Sequence, residues 1–198
     1  MVTPSSRKNG KGRSRVHNQA ARIGDGQASK AALVDPPLAS GRDAMTEAKL
    51  WRNPCWFTYR LNYLALRYNV PLYSWVEATY GLSRPEFVVI YSLGLKDGAY
   101  ARDIGASSGF PQNTLSRAIH KLVRLELVAR DPDPKDGRRF VLTLTKAGRD
   151  LFEEALPRFV GYEKLMLGAL TKQEQRTLSD LMAKMVLASP AWPDTVET

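Results

Sequence analysis

The sequence predicts a mainly α-helical fold that carries one small β-hairpin, and three observations support this prediction. From about residue 46 onward, long stretches repeat apolar residues at the spacing of a helix face. Two helix starts are marked by capping boxes that open at Ser83 and Thr171, each with a glutamate three residues later. Between them, residues 140–145 alternate apolar and polar side chains, which is typical of a half-buried strand.

Residues 1–45 differ from the rest of the chain and are expected to form a disordered basic arm. They are rich in Gly, Ala, Ser and Pro and contain no aromatic residue. Eight basic and three acidic residues give this segment +5 of the net charge of +9, and a segment of this composition cannot bury a core. A solvated tail is one interpretation, a basic arm that adds phosphate contacts is another, and a transit peptide is a third.

Several classes of protein are disfavoured by the composition. The single cysteine, Cys55, and the two histidines leave no ligand set for a metal site, so no metal and no cofactor are expected. No Ser/His/Asp set or phosphate-binding loop is visible, which argues against an enzyme. The chain has neither a run of about 18 apolar residues nor an apolar leader at its start. We therefore expect a cytoplasmic protein with no membrane partner, whose basic charge favours a polyanion.

Residues 46–80 are expected to form helices that are rich in aromatic side chains. Half of all the aromatic residues in the chain fall between positions 51 and 80. Asn53-Pro54 predicts a cap followed by a first-turn proline, and Gly81 predicts the end of the segment. Pro71 is expected to break or kink the stretch into two pieces.

A helix-turn-helix is predicted over residues 99–126, where two short amphipathic helices are separated by a tight turn. Counted from Ala101, a small residue falls at the fifth position, Gly105, and a glycine at the ninth, Gly109, where close packing and the turn require them. Pro111 starts the second helix. The apolar stripe of this helix consists of Leu115, Ile119, Leu122 and Leu125, and its opposite face carries Asn113, Ser116, Arg117, His120, Lys121 and Arg124. An ordinary helical hairpin with a solvated basic face is the alternative interpretation.

The segment after this pair of helices predicts a β-hairpin with an exposed basic tip. A short strand at residues 128–130 leads into a turn-rich loop, from which the strand 140–145 returns. The two prolines of the loop are expected to keep its tip out of the ladder. The second helix of the pair suits entry into the major groove of DNA, which makes it the candidate recognition helix. A basic hairpin directly after such a helix is a wing, whose cations suit the narrow minor groove of DNA. Two acidic residues of the loop are expected to orient its arginines by side-chain pairing, namely Asp133 and Asp136 with Arg138 or Arg139.

Three motifs, in this order, resemble the MarR (multiple antibiotic resistance regulator) family of winged helix-turn-helix regulators. The stretch that begins at Gly81 is similar to the entry of the second helix of that family. The run from Arg130 to Gly148, which ends in Leu-Thr-x-x-Gly, is similar to the wing signature of the family. The stretch that begins at Leu170 is similar to the entry of its last helix. The resemblance covers about residues 54–189.

This resemblance implies how the chain is divided and which residues meet DNA. The divisions are a winged helix-turn-helix domain over residues 81–145, dimerisation helices over 46–80 and 146–189, and a tail over 190–198. The implied partners are a second copy of the chain and double-stranded DNA. The candidate DNA contacts, which include Lys121 from the basic face of the second helix, are Asn113, Thr114, Ser116, Arg117, Lys121, Lys135, Arg138 and Arg139. One departure is Glu126-Leu127, where the family usually has a glycine at the end of the recognition helix.

The helices at both ends of the chain carry more apolar surface than a single domain can cover, which predicts a two-fold dimer. Residues 146–168 are expected to form one helix that Pro157 bends, with an inward face of Leu151, Phe152, Ala155, Leu156, Phe159 and Val160. The last helix has an apolar stripe of Leu178, Leu181, Met182, Met185 and Val186. The resemblance also implies a pocket for a small aromatic effector, whose candidate residues are Trp56, Tyr59, Tyr63 and Trp75. Core and dimer packing is the other interpretation of these rings.

Together these observations predict a dimeric, ligand-responsive repressor that recognises a pseudo-palindromic operator. Two alternatives remain open at this point. A basic architectural protein would bind DNA without strong sequence preference, and a redox-sensing regulator would use the thiol of Cys55.

Overall fold

The computed structural model describes residues 43–193 and Thr195. Most of the arm expected over residues 1–45, and the last part of the tail expected over 190–198, lie outside the described residues. The described chain folds as seven α-helices and one β-hairpin, which confirms the mainly α-helical fold. In chain order the elements are α1 (Ala44–Trp51), α2 (Trp56–Tyr80), α3 (Arg84–Leu95), α4 (Ala101–Ser108), α5 (Gln112–Arg124), β1 (Val128–Asp133), β2 (Asp136–Leu144), α6 (Lys146–Met166), α7 (Lys172–Ala188) and a short 3-10 turn (Ser189–Ala191).

Helix α2 begins later than the sequence suggests and then runs without interruption to its end. Its N-cap is Cys55 and not Asn53, whose Oδ1 instead accepts a hydrogen bond from the Cys55 N–H at 2.9 Å. The expected division at Pro71 is wrong, because α2 continues through this proline as one helix. Leu72 and Val76 are buried in the core, and their packing offsets the backbone hydrogen bond that a proline removes.

The core forms around α3, which buries Phe87, Val89, Ile90 and Leu93, and α2, α5 and α6 all pack against it. Phe87 of α3 stacks on Phe159 of α6, with ring centroids 4.9 Å apart and planes within 10° of each other. Offset aromatic pairs of this kind stabilise a core beyond the area that they bury. The ring pair therefore ties α6 directly to the centre of the fold.

Both predicted capping boxes are present. The Ser83 N–H donates to the Glu86 carboxylate at 2.7 Å, and the Thr171 N–H donates to the Glu174 carboxylate at 2.7 Å. These bonds satisfy backbone donors that the start of a helix leaves without an internal partner. Gly81 ends α2 in the left-handed conformation, with φ of 66°, which confirms the predicted boundary between α2 and α3.

The hairpin is longer and more regular than the loop that the sequence suggests. Its strands pair antiparallel almost to the tip, where Asp133 faces Asp136 across an irregularity in the register. Pro132 lies within the ladder opposite Phe140, so the expectation that the prolines exclude the tip from pairing is wrong. Each strand of a two-stranded sheet has a free edge, where a residue without an N–H costs no ladder bond.

Helices α6 and α7 differ in how far they join the core. Helix α6 continues through Pro157 and buries Phe152, Ala155 and Phe159. Val160, expected on the same inward face, is 41% exposed, because the last turns of α6 lie beyond the core. Helix α7 buries none of its own residues. These two helices therefore expose apolar side chains that the single chain does not cover.

Helix α5 ends in a Schellman motif whose left-handed residue is Glu126, with φ of 56°. The Leu127 N–H donates to the Leu122 carbonyl oxygen at 3.0 Å, and the Glu126 N–H donates to that of Val123 at 3.0 Å. These two bonds define the motif, and glycine usually occupies the left-handed position because a Cβ is strained there. Leu125, expected in the apolar stripe, is 47% exposed, since it is the C-cap and lies past the helical turns.

Glu126→Gly is expected to raise the free energy of unfolding by about 1 kcal/mol, because glycine adopts the left-handed conformation without the strain that a Cβ brings. Urea unfolding followed by circular dichroism measures the change. Glu126→Ala removes the same carboxylate but keeps a Cβ, so it is the matched control and should give no gain. An equal gain in both variants would attribute the effect to the lost charge.

Candidate nucleic-acid interface

Helices α4 and α5 form a tight pair joined by a glycine turn. Gly109 ends α4 in the left-handed conformation, with φ of 70°, which confirms the predicted turn. A Cβ on Gly105 would lie 2.6 Å from the Gln112 side-chain oxygen and 3.6 Å from Leu115. The two glycines therefore allow α5 to lie close against α4.

Helix α5 separates an apolar face from a polar one. The apolar face is buried in the core and consists of Leu115, Ala118, Ile119 and Leu122. The exposed side chains are Gln112, Asn113, Arg117, His120 and Arg124, while Thr114 and Ser116 are half-buried. No residue of α5 is acidic. Four of the candidate DNA contacts thus lie in the N-terminal half of a helix that presents amide, hydroxyl and guanidinium groups without a competing carboxylate.

Lys121, expected among the DNA contacts, is bonded within the fold. Its Nζ lies 2.8 Å from the Glu86 carboxylate and 3.1 Å from the Gly81 carbonyl oxygen. Burial raises the pKa of the Glu86 carboxyl, but hydrogen bonds from Lys121 and Ser83 outweigh it and hold the pKa below its ordinary value. The ammonium group therefore joins α5 to the start of α3, and we leave Lys121 out of the proposed DNA contacts.

Lys121→Ala is expected to lower the free energy of unfolding by about 1–3 kcal/mol, because it leaves a shielded carboxylate with fewer partners. The difference from wild type should be full at neutral pH and shrink as the pH falls through the folded pKa of Glu86, which lies below its ordinary 4.5. Urea unfolding across this pH range measures it. Arg124→Ala removes an exposed cation from the same helix and should change stability by less than about 0.5 kcal/mol. Unchanged stability with reduced DNA affinity would instead make Lys121 a DNA contact.

The two aspartates of the hairpin shape its turn and do not pair with the arginine side chains beside them. Asp133 accepts a hydrogen bond from the Lys135 N–H at 2.8 Å, and Asp136 accepts one from the Arg138 N–H at 3.1 Å. The expected direct ion pairs with the side chains of Arg138 or Arg139 do not form, although the positive charge of Arg139 helps to lower the pKa of Asp133. An aspartate at a turn reaches the amide two residues on more readily than a distant guanidinium. The side chains of Lys135 and Arg138 remain exposed.

Two arginines of the hairpin lie over aromatic rings. The Arg139 guanidinium is 3.7 Å from the Tyr100 ring centroid, and that of Arg130 is 4.0 Å from the Phe140 centroid. The Tyr100 hydroxyl donates to the Asp133 carboxylate, a bond that lowers the pKa of Asp133 and raises that of Tyr100. Arg139 is one of the candidate DNA contacts, whereas Arg130 and Tyr100 are not. No local pattern marks these two residues.

A pocket of about 340 Å³ lies between α2 and α6. Its lining residues are Tyr63, Leu64, Arg67, Tyr68, Tyr162, Leu165 and Met166. Burial raises the pKa of Tyr68 to about 12, and its hydroxyl donates to the Phe159 carbonyl oxygen at 3.4 Å. Of the four candidate effector residues, Tyr63 lines this pocket.

The other three candidates, Trp56, Tyr59 and Trp75, do not line this pocket. The Arg60 guanidinium lies 4.9 Å from the Trp56 ring, and that of Arg158 lies 4.6 Å from the Trp75 ring. Trp56 and Trp75 are 19 residues apart on one helix, a separation of about 28 Å. Within a single chain this pocket therefore does not gather the four rings, because they are spread along the length of α2.

Helices α2, α6 and α7 expose a large amount of apolar surface. The exposed side chains include Leu61, Leu64, Leu66, Val70, Leu165, Met166, Leu178, Leu181, Met182, Val186 and Leu187. Exposure reaches 76% at Leu165 and 82% at Leu187. A soluble chain rarely leaves apolar patches of this extent without a partner. All of these residues belong to the two segments expected to dimerise.

Other kinds of site find little support in the part of the chain that the structure describes. Cys55 is free and exposed at the N-cap of α2, and its redox role stays a prediction. Among residues 43–193 and 195, no three His, Cys, Asp or Glu side chains gather closely enough to hold a metal ion. None of the helices in the same residues is long and apolar enough to cross a membrane.

The sequence and the fold are both similar to those of known transcriptional regulators. The profile of the MarR family matches residues 80–139. The chain is 30% identical over 121 residues to the HTH-type transcriptional regulator YwaE of Bacillus subtilis (strain 168), a match that covers 61% of this chain and 71% of that protein. The crystal structure of a MarR family regulator from Silicibacter pomeroyi matches with a TM-score of 0.63 at 28% identity, over 71% of this chain and 94% of that one. BpsR of Bordetella bronchiseptica, whose DNA binding is regulated by 6-hydroxynicotinic acid, matches with a TM-score of 0.57 at 26% identity, over 65% of this chain and 91% of that one.

Proposed function

Because this chain belongs to the MarR family of DNA-binding transcriptional regulators, we propose that it is a ligand-responsive repressor that binds a pseudo-palindromic operator as a homodimer in the cytoplasm. The observation that carries this proposal is the acid-free polar face of α5, followed in the chain by a hairpin with exposed basic side chains at its tip. A dimer bound at its operator would exclude the transcription machinery from overlapping DNA, and an effector would release it.

Helix α5 supplies the contacts that read the sequence. Its candidates are Asn113, Thr114, Ser116 and Arg117, which lie in its first two turns. In the major groove, asparagine pairs well with adenine and arginine pairs well with guanine. The hydroxyl groups of serine and threonine can hydrogen-bond to either base. The hairpin tip supplies Lys135 and Arg138, whose cations suit the strong negative potential of a narrow minor groove. The two elements together would cover adjacent grooves of one duplex.

A second copy of the chain is the partner that best covers the exposed helices. Helix α7 buries none of its own residues, and exposed apolar side chains of α2 and α6 extend the same kind of surface. In a two-fold dimer the same surface of each chain packs against its counterpart on the other chain. One exposed apolar surface per chain is therefore enough to form the interface. Two α5 helices related in this way would enter major grooves about 34 Å apart.

The pocket between α2 and α6 is the proposed effector site. It combines three tyrosines with the guanidinium of Arg67, a set that suits an aromatic acid whose ring packs on tyrosine and whose carboxylate pairs with arginine. The response of BpsR to 6-hydroxynicotinic acid supports an effector of this chemical class. Because the pocket lies among exposed apolar residues of both helices, an occupant would bias how two copies pack.

Selection of bound duplexes from a random DNA pool tests this function. We expect the purified full chain to enrich a two-fold-related sequence, and 6-hydroxynicotinic acid to weaken binding to that sequence. Arg67→Met, a matched variant of the pocket, should still bind the selected duplex but lose the response to the acid. Failure to enrich any sequence would contradict the proposal and favour an architectural DNA-binding protein.

A further inference from the structure

A cleft of about 410 Å³ lies between α5 and the hairpin. Three arginines and a histidine from four elements line it: Arg102 of α4, His120 of α5, Arg130 of β1 and Arg139 of β2. None of the residues that line the cleft carries a carboxylate. A concave surface with several cationic groups and no acid favours an anion.

Two of these arginines are ordered before any ligand arrives. Arg130 lies over the ring of Phe140, and Arg139 lies over the ring of Tyr100. The Tyr100 hydroxyl donates to Asp133, which is buried, so this ring is held in turn. A guanidinium stacked by its face keeps N–H groups at its edge for another acceptor. Less conformational freedom is then lost when an anion binds.

We propose that this cleft binds one backbone phosphodiester of DNA, on the strand that separates the groove entered by α5 from the groove reached by the hairpin. The proposal rests on the proposed function, which places these two elements in adjacent grooves. A sugar-phosphate strand runs between any two adjacent grooves, and the cleft lies between the elements that enter them. Guanidinium N–H groups match the geometry of phosphate oxygens.

Arg130 supplies the β1 side of this contact. It lies on β1 and lines the cleft together with α5 residues, so a phosphate held there would fix the distance between the reading helix and the hairpin. Phosphate contacts carry no sequence information. The cleft therefore contributes affinity and register on the duplex, and the preference for one sequence comes from α5.

Arg130→Ala tests the proposal through the salt dependence of DNA binding. The full chain would be titrated by fluorescence anisotropy between about 50 and 200 mM salt, against the selected duplex and a shuffled duplex of the same composition. Each phosphate contact adds about 0.9 to the slope of log K against log salt. We expect the slope to fall by about 0.9 per bound chain on both duplexes, so the affinity deficit of the variant shrinks about 3.5-fold per bound chain over this range.

Two further variants separate the contact from its surroundings. Arg176→Ala removes the same charge from α7, on the side opposite its apolar stripe, and should keep the wild-type slope. Phe140→Leu removes the ring beneath Arg130 but keeps its charge, so it should lower affinity with the slope unchanged. Arg130 and Phe140 are both exposed, and thermal melts check that each variant remains folded.

An Arg130→Ala slope equal to that of wild type and Arg176→Ala would overturn the cleft proposal. The decisive slope is the one measured on the shuffled duplex, where sequence preference plays no part. Failure of the phosphate-binding proposal can therefore be told apart from failure of the proposed function. The latter would appear as equal affinity of the wild-type chain for both duplexes.

Discussion

Leu181→Asp is expected to convert the protein into a monomer and to lower its affinity for the selected operator by about 10²- to 10⁴-fold. Leu181 is 57% exposed in the single chain, so its replacement removes little from the chain's own core. In a two-fold dimer the new carboxylate would lose its water against an apolar surface, and this desolvation opposes association. Each DNA-binding unit would then bind without the effective concentration that a linked partner supplies.

Sedimentation equilibrium and titration of the selected duplex measure the two effects of this substitution. Gln173→Asp adds the same carboxylate to an exposed position near the start of α7, on the side away from its apolar stripe and far along the helix from Leu187. This control should stay dimeric and keep its affinity. A Leu181→Asp protein that remains dimeric and binds the operator normally would place the interface elsewhere.

Arg117→Ala is expected to reduce the ratio of the affinities for selected and shuffled duplexes by about 5- to 150-fold per half-site. An arginine paired with guanine contributes roughly 1–3 kcal/mol of discrimination between bases, which corresponds to this range. Arg117 is exposed and lies on the face of α5 opposite the side chains that α5 buries in the core. Its replacement should therefore leave the fold unaffected. Arg138→Ala, at the hairpin tip, should weaken binding to the selected duplex and to the shuffled duplex equally, so the ratio of the two affinities should stay unchanged.

Competition titrations with the two duplexes measure this ratio. Arg124→Ala is the matched control, because it removes an exposed arginine from the last turn of the same helix, and it should change the ratio by less than about twofold. An equal loss of affinity for both duplexes in Arg117→Ala would identify Arg117 as a phosphate contact and not a reader of base edges.

Features with a local physical cause could be predicted from the sequence. The capping boxes at Ser83 and Thr171 each depend on a glutamate three residues later, and both form. The turn at Gly109 needs a residue that tolerates positive φ, and glycine is there.

Contacts between distant parts of the chain account for what could not be predicted. Lys121 has a position on the basic side of α5, yet its partner is Glu86, 35 residues earlier. Tyr100 and Asp133 are 33 residues apart, so their bond has no sequence signature. Pro71 would break an isolated helix, and only tertiary burial of the turn that follows keeps α2 continuous.

The apolar face of a helix also looks the same in sequence whether it packs on its own core or on a second copy. Leu61 and Leu64 share α2 with Leu72 and Val76, and their periodicity gives no sign of a difference. The structure separates them, because the first pair is exposed and the second pair is buried.

Recognition of one two-fold site by two copies of this chain is tested most directly by titrating the selected operator with the purified protein. The experiment measures the number of chains bound per duplex and the affinity relative to shuffled DNA. We expect two chains per duplex and a preference of at least about 10³-fold at physiological salt. One chain per duplex, or equal affinity for the two duplexes, would contradict dimeric sequence-specific recognition.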